Sequence, residues 1–438
     1  MMTLDSTIVA TALHTLEHEL HAQVNWAGWT ITAYSLGFIV MLPLSGKFSE
    51  RYGERRVFLV SVATFSLASL LCGFAGNIYI LIVLRALQAA GGAGITPAAT
   101  GIIVKHFGHA RDRYISLFGT IFPTGAMIGP IFGGLIVTYF SWQWIFFVNV
   151  PIGLMAIVLA LMFIPRDDRL AIARRHKTID PRGIILLGSG LFAGMLAASY
   201  LGENGSSVLS PLFVVPIIAA IGAFWAFFYH INHAENPFIL PRLIYGHGFG
   251  AINLITTVCV GMAQGVIALI PLYAANRYGL SALDAGTLLI AEGVAAISLS
   301  IIATFWLRRS GYHLPLHIGA SIIALGIFLL ALHPLFGLSP YVWLAIATFL
   351  VGVGAGTFSP ASRNAGLQLA VEHSETIAAV RTIDLQIGTI MTVSAATAVI
   401  AATHDSGIAQ AWFHIVVVAV LLLAQFFITR VPEHRGAW

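Results

Sequence analysis

Residues 26–75 read WAGWTITAYSLGFIVMLPLS, then GKFSERYGER, then RVFLVSVATFSLASLLCGFA. The outer pieces are apolar runs, each of the roughly 20 residues that a helix needs to cross the ~30 Å hydrocarbon core of a bilayer. The piece between them holds Lys47, Arg51 and Arg55, and Arg56 follows at once. Apolar run, basic turn, apolar run is the pattern of a helical hairpin in lipid. The chain repeats it outward in both directions. Runs centre on 26–45, 56–75, 78–104, 113–138, 143–164, 183–201, 211–231, 248–274, 284–307, 314–333, 340–360, 376–402 and 408–430, and a partial run occupies 1–13. No segment is long and polar enough to form a separate soluble domain.

Composition agrees. Of 438 residues, 58% are hydrophobic and only 9% charged, against about 25% charged in a soluble domain. That excludes an ordinary soluble enzyme. Cys72 and Cys259 both fall in apolar runs, where they read as packing residues, and no disulfide framework is implied. The pI near 9.1 does not point to nucleic acid, because the basic residues are spread over short loops. The first residues lack a basic leader and a small-residue cleavage site, so no cleavable signal peptide is expected.

Loop charge sets the orientation. Alternate loops, beginning with the turn after residue 45, hold 19 of the 22 basic residues, six of them in 165–182. The opposite loops hold only Arg277, and Arg85 and Arg381 lie in or at the end of helices. The C-terminus is therefore expected in the cytoplasm, and residues 14–25, with Glu17 and Glu19, outside.

Four stretches stand out. Gly46-Lys-Phe-Ser-Glu50-Arg51-Tyr-Gly53-Glu54-Arg55-Arg56 reads as a tight cytoplasmic loop in which glycine supplies backbone freedom and the acid meets a helix terminus or a neighbouring arginine. Ordinary positive-inside charge is the bland alternative. Arg85-Ala-Leu-Gln88-Ala-Ala-Gly91-Gly92 sets an arginine inside an apolar helix, so Arg85 faces the protein interior or a water-filled cavity. Gln88 lies one turn on and can face the same way. Gly125-Ala-Met-Ile-Gly129-Pro130-Ile-Phe-Gly133-Gly134 spaces glycines four apart for close helix approach, and its proline bends the run. Leu4-Asp5-Ser6-Thr7-Ile8-Val9-Ala10-Thr11-Ala12-Leu13 places an acid in an apolar helix, a functional candidate by default.

Together these stretches resemble the major facilitator superfamily, and within it the fourteen-helix drug:proton antiporter branch, the EmrB/QacA-type efflux pumps. Gly46–Arg56 is similar to the superfamily's loop signature, with Glu50 where aspartate is usual. Arg85–Gly92 resembles its fourth-helix motif and Gly125–Gly134 its antiporter motif. Leu4–Leu13 resembles the first-helix motif of the branch, with His14 where proline is common. Pro271-Leu-Tyr, Gly279-Leu-Ser-Ala-Leu-Asp-Ala-Gly286 and Gln386-Ile-Gly388 also look like the branch. The resemblance implies an all-α membrane protein with the major facilitator fold: two six-helix bundles, 1–164 and 241–438, and between them, at 165–240, a basic cytoplasmic loop with two extra transmembrane helices. The first helix looks incomplete. Only four residues precede Asp5, and thirteen residues rise about 20 Å, so the native chain is expected to extend upstream by roughly 10–20 residues.

Three acids lie inside predicted helices: Asp5, Glu292 and Asp384. A carboxylate in a place that disfavours charge can take up and release a proton, as a proton carrier must. Arg85 would oppose this at Asp5 by favouring the charged form. Arg381 is three residues from Asp384, so these two are expected to form a structural ion pair. Glu292 has no basic residue within a turn and ranks above Asp384 as a cation-binding or protonatable site, with Gln88 and Gln386 as polar neighbours of a cavity. His14-Thr-Leu-Glu17-His18 matches a zinc-protease spacing, but it lacks a third fixed ligand and reads as a polar helix end. Neither Gly91-Gly92-Ala-Gly94 nor Gly352-Val-Gly354-Ala-Gly356 follows a strand, so both read as helix packing rather than phosphate loops. No Walker sequence is present, so ATP drive within the chain is not expected.

The reading is a proton-coupled exporter of amphipathic or cationic small molecules, working by alternating access in the cell membrane. Lipid, the substrate and protons are its partners; it needs no cofactor, metal or nucleic acid, is not an enzyme, and is monomeric. Asp5 and Arg85 would couple protons. Gly46, Glu50, Arg51, Gly53, Arg55, Arg56, Gly125, Gly129, Pro130, Gly133 and Gly134 would serve the conformational switch. The alternatives are an exporter of lipids or hydrophobic metabolites on the same fold, and a membrane sensor or partner-binding protein without transport.

Overall fold

The structure is a computed structural model that describes residues 2–106, 125, 128–166, 180–201, 206–369, 374–403 and 406–433. The described residues form helices and turns, with no strand. In lipid every backbone donor and acceptor must be satisfied within the segment, and a helix does this locally. Among the described residues twelve helices are long and apolar enough to cross a membrane, and Ile128–Tyr139 is a shorter apolar helix. The most basic loop lies largely outside the described residues, as does the first part of the run expected at 113–138.

The first helices are α1 (Met2–Glu19), α2 (Val24–Tyr52), α3 (Glu54–Gly73), α4 (Ile78–Gly92) and α5 (Ile95–His106). They are followed by α6 (Ile128–Tyr139), α7 (Trp144–Phe147), α8 (Asn149–Phe163), α9 (Pro181–Tyr200) and α10 (Pro211–His233). Two expected boundaries need correction. The first apolar stretch does not end at residue 13: α1 continues through His14, Glu17 and His18, and its 18 residues rise about 27 Å. Helical hydrogen bonding carries on where hydropathy stops. Nor is 46–56 a loop. Helix α2 runs to Tyr52, Gly53 alone breaks it at φ +94°, and α3 starts at Glu54. Gly46 is thus a helical residue, and Gly53 is the one that needs the freedom of glycine.

Cα proximity divides the chain into two compact units. The first holds residues 1–194 and 216–238, the second 195–215 and 239–438. In the first unit α2 and α3 pack on α4, and α3 also packs on α8. Lipid tails are as apolar as leucine, so burial alone does not pull helices together there; small residues that permit close contact do. Gly37 of α2 meets the Ala86 backbone of α4, and Gly91 meets the Phe65 backbone of α3. Around that seam Tyr34, Phe65 and Ala89 form a buried cluster. Helix α10 is the least buried of the apolar helices, and within this unit its Ile218, Ile221 and Trp225 are exposed and left to lipid.

The second unit continues with α11 (Pro241–Tyr245) and α12 (Phe249–Ile255). A π-helical segment, Thr256–Met262, joins α12 to α13 (Ala263–Tyr278). Then come α14 (Ala282–Ser310), α15 (His313–Ala331), α16 (Pro340–Leu369), α17 (Ser374–Ala401) and α18 (Ser406–Ala424), closed by a 3-10 turn, Gln425–Arg430. Helix α16 is central. Its Gly352 and Gly356 lie on the backbones of Glu292 and Ala296 in α14, and Gly354 lies on Gly319 of α15. The triple-glycine pattern is therefore a packing strip on two faces of one helix. Gly279 (φ +63°) ends α13 in the left-handed conformation, a common helix stop. Ser281 then caps α14, accepting the amide of Asp284 at 3.1 Å.

Candidate functional site

Asp5 of α1 and Arg85 of α4 are each 1% exposed. Arg85 Nη1 donates to Asp5 Oδ2 at 2.5 Å and to Gln88 Oε1 at 2.6 Å. Arg85 Nε donates to the Thr30 carbonyl at 3.1 Å. Its guanidinium carbon sits 4.3 Å from the centre of the Tyr34 ring, where the π face attracts a cation. Asp5 Oδ1 accepts from Gln88 Nε2 and from Asn149 Nδ2, each at 2.9 Å. Asn149 Nδ2 also reaches Ser69 Oγ at 3.1 Å, and Ser69 donates to the Phe146 carbonyl at 2.9 Å. Two opposite charges out of water are tolerable only with such a complete set of partners. Cys72 Sγ lies 3.9 Å from Gln88 Oε1, and both cysteines are free and buried.

Five chain segments supply this cluster. The sequence pointed to Asp5, Arg85 and Gln88, which the fold brings together. It did not single out Asn149, Ser69, Tyr34 or Thr30. Asn149 carried a usable signal, being an amide inside an apolar run and therefore in need of a partner. Ser69 carried none, since a hydroxyl can bond back to its own helix, and Thr30 takes part through its backbone carbonyl, which its side chain does not announce.

The glycines of the fifth-helix motif share a face: Gly129, Pro130, Gly133 and Gly134 are all buried, and Gly125 is half-buried. Gly133 abuts Ile8 and Thr11 of α1, one turn from Asp5. In the Gly46–Arg56 stretch, Gly46 is half-buried and Arg51 exposed. Arg51 lies 5.5 Å over the Tyr52 ring, and Arg55 Nη2 donates to the Leu161 carbonyl of α8 at 3.0 Å. Arg56 is exposed. Glu50 is helical, with its side chain outside the described residues.

Glu292 on α14 and Asp384 and Gln386 on α17 are half-buried. Among the described residues they share no hydrogen bond or ion pair with one another. The expected Arg381–Asp384 ion pair does not form. Arg381 Nη1 instead donates to Ser362 Oγ of α16 at 2.7 Å, and Asp384 Oδ2 is buried without a partner. The reason is directional. Helical side chains lean toward the N-terminus, so Arg381 extends away from Asp384 and is caught by the neighbouring helix. The histidines of the zinc-like spacing bond to each other, His18 Nε2 to His14 Nε2 at 3.2 Å.

Outside the spans, Asp180 joins the ends of α9 and α10. It accepts the Gly183 amide (3.1 Å), the Phe238 amide (3.1 Å) and His230 Nε2 (2.8 Å). Burial raises its pKa, but these hydrogen bonds outweigh burial and hold the carboxyl below the usual range.

A model of the Major Facilitator Superfamily matches residues 1–393. The chain is 32% identical over 333 residues to a multidrug resistance protein B homolog of Mycobacterium tuberculosis, covering 76% of this chain and 59% of that protein. It is 30% identical over 360 residues to multidrug resistance protein 3 of Bacillus subtilis, covering 81% and 68%. A tetracenomycin C resistance and export protein of Streptomyces glaucescens is 30% identical, covering 74% and 60%. The chain thus spans about 59% of the length of the first of these relatives. The inward-open xylose transporter XylE of E. coli superposes with a TM-score of 0.64 at 14% identity, over 99% of this chain and 94% of that one. That likeness concerns the fold alone.

Proposed function

Because this chain belongs to the major facilitator superfamily, we propose that it is a proton-coupled antiporter that exports amphipathic or cationic small molecules across the cell membrane. The names of the relatives support the substrate class. The buried Asp5–Arg85 cluster carries the coupling, because it is an ionisable pair walled off from water with every carboxylate oxygen engaged. As a carboxylate, Asp5 holds Arg85, Gln88 and Asn149 in one arrangement. A proton on Asp5 cancels the charge that holds the guanidinium and turns one acceptor into a donor, so the partners must regroup. Alternating access follows if that regrouping moves α1 against α4 and α8. Gly133, packed on α1, permits such movement, and Gly53 and Arg55 hold the α2–α3 joint to α8. In the second unit Glu292 receives the cationic part of a substrate, with Asp384 and Gln386 contributing polar surface.

On this reading residues 1–164 and 241–438 are the two transport bundles, 165–240 carries the inserted pair, and the chain works as a monomer with its C-terminus in the cytoplasm. Gradient-driven transport in proteoliposomes tests the function. An imposed pH difference should drive accumulation of cationic dyes in wild type and not in Asp5→Asn. Wild-type transport that ignores the gradient would refute the coupling. Neutral hydrophobic metabolites belong in the same panel, given the tetracenomycin exporter among the relatives. For orientation, single cysteines at 175 and 205, both outside the described residues, should label from outside only at 205.

A further inference from the structure

Tyr245, Gly246, His247, Gly248 and Gly250 have no role in the transport scheme, yet they line a cavity of about 690 Å³ within the second unit. Phe427, Thr429, Arg430 and Glu433 line the opposite side, and Leu254 and Ala251 complete the apolar wall. The cavity is built rather than incidental. Gly248 has φ +80°, and a Cβ there would come within 2.8 Å of Pro432, so only glycine lets the turn lie on the proline. Asn253 Nδ2 pins the other side by donating to the carbonyls of Leu243 and Ile244 at 2.7 and 3.0 Å.

Its charges are unequal in availability. Both oxygens of Glu433 are occupied, accepting the amides of Tyr312 and His313 at 2.6 and 3.2 Å, and His313 Nδ1 lies 3.0 Å from Oε2. Arg430 has no carboxylate partner among the described residues and touches only the Phe427 ring, at 5.1 Å. His247 lines the same cavity, and the Thr429 hydroxyl is committed to the Phe426 carbonyl at 3.0 Å. The net offer is a guanidinium and an imidazole over an apolar wall.

Position decides what fits. Leu254 and Phe427 belong to the apolar spans Phe249–Tyr278 and Gly407–Arg430, whereas His247 and Glu433 lie beyond the span ends. Tyr245 and Leu254 are exposed, on an apolar surface that belongs in lipid. The cavity therefore straddles the boundary between hydrocarbon and headgroups. A ligand that satisfies the cation and the apolar wall together carries a phosphate on an acyl chain. We propose that this cavity binds the phosphate of an anionic phospholipid, with Arg430 as its counter-charge and Tyr245, Leu254 and Phe427 against the acyl chains.

The test is native mass spectrometry of the purified full chain in detergent, titrated with dioleoylphosphatidylglycerol, dioleoylphosphatidylcholine or glycerol 3-phosphate. Phosphatidylglycerol should bind in preference to phosphatidylcholine. Arg430→Gln should weaken it about fivefold, the effect of one basic residue at an anionic surface. Thr429→Trp, a change at an exposed position that fills the cavity without touching the core, should weaken it as well. Arg182→Gln, an exposed arginine at another span end, should leave it unchanged. Equal binding of phosphatidylcholine, equal loss in Arg182→Gln, or no loss in either cavity variant overturns the proposal. Displacement of the lipid by equimolar glycerol 3-phosphate would overturn the lipid assignment and leave a site for free phosphate.

Discussion

Replacing Asp5 by asparagine keeps its shape and removes its charge. Asparagine can still accept from Gln88 and Asn149 through one oxygen, as Asp5 Oδ1 does at 2.9 Å. Its amide, however, meets Arg85 Nη1 where Oδ2 now accepts at 2.5 Å, so donor faces donor. Breaking a buried ion pair from one side costs about 3–5 kcal/mol. Arg85 keeps the Thr30 carbonyl, Gln88 Oε1 and the Tyr34 ring, which places the expected loss near the lower limit, about 3 kcal/mol. Arg85→Gln should cost a similar amount. The double variant should cost less than the sum by about 2 kcal/mol, because contacting residues couple by roughly 0.5–3 kcal/mol. Unfolding in detergent with rising dodecyl sulfate, followed by tryptophan fluorescence, gives all four corners of the cycle. Gradient-driven efflux in the same preparations should vanish in each single variant. Strict additivity, or full proton-coupled efflux by Asp5→Asn, would refute the role assigned to the pair.

Asn149→Leu removes a donor from Asp5 and from Ser69, so it should lower stability by about 1–3 kcal/mol and reduce coupled efflux, read in the same two assays. Gly133→Leu drives a side chain into Ile8 and Thr11 and should slow transport while substrate binding, measured by fluorescence quenching, is retained. Asp180 titrates lower in the folded chain than in the unfolded one, so its contribution is present above about pH 3.9 and lost as pH falls through the folded value. Asp180→Asn should therefore destabilise at neutral pH and flatten the acid limb of a stability profile. Glu292→Gln should weaken export of cationic substrates and spare neutral ones; equal loss for both would assign it to proton coupling.

Much of this protein is set one segment at a time. Lipid demands a closed helix and an apolar surface from each crossing independently, so runs such as 56–75 and 211–231 declare themselves without reference to their neighbours. Charge is equally local, and Arg85 and Asp5 stood out because an ion inside an apolar run has few explanations. The partners of those ions were not local. Asn149 lies 144 residues from Asp5 and Ser69 lies 80 from Asn149, and nothing in either neighbourhood marks the meeting. Spacing alone suggested that Arg381 would serve Asp384, but α16 offered Ser362 along the direction in which the arginine already leans. Helix ends behaved the same way: hydropathy stops α1 near residue 13, while its hydrogen bonds run on to Glu19. The sequence thus determined which stretches cross the membrane and which of them carry an awkward charge. Only the tertiary structure decided what each charge holds, because a long-range partner is chosen by helix packing and not by the residues on either side.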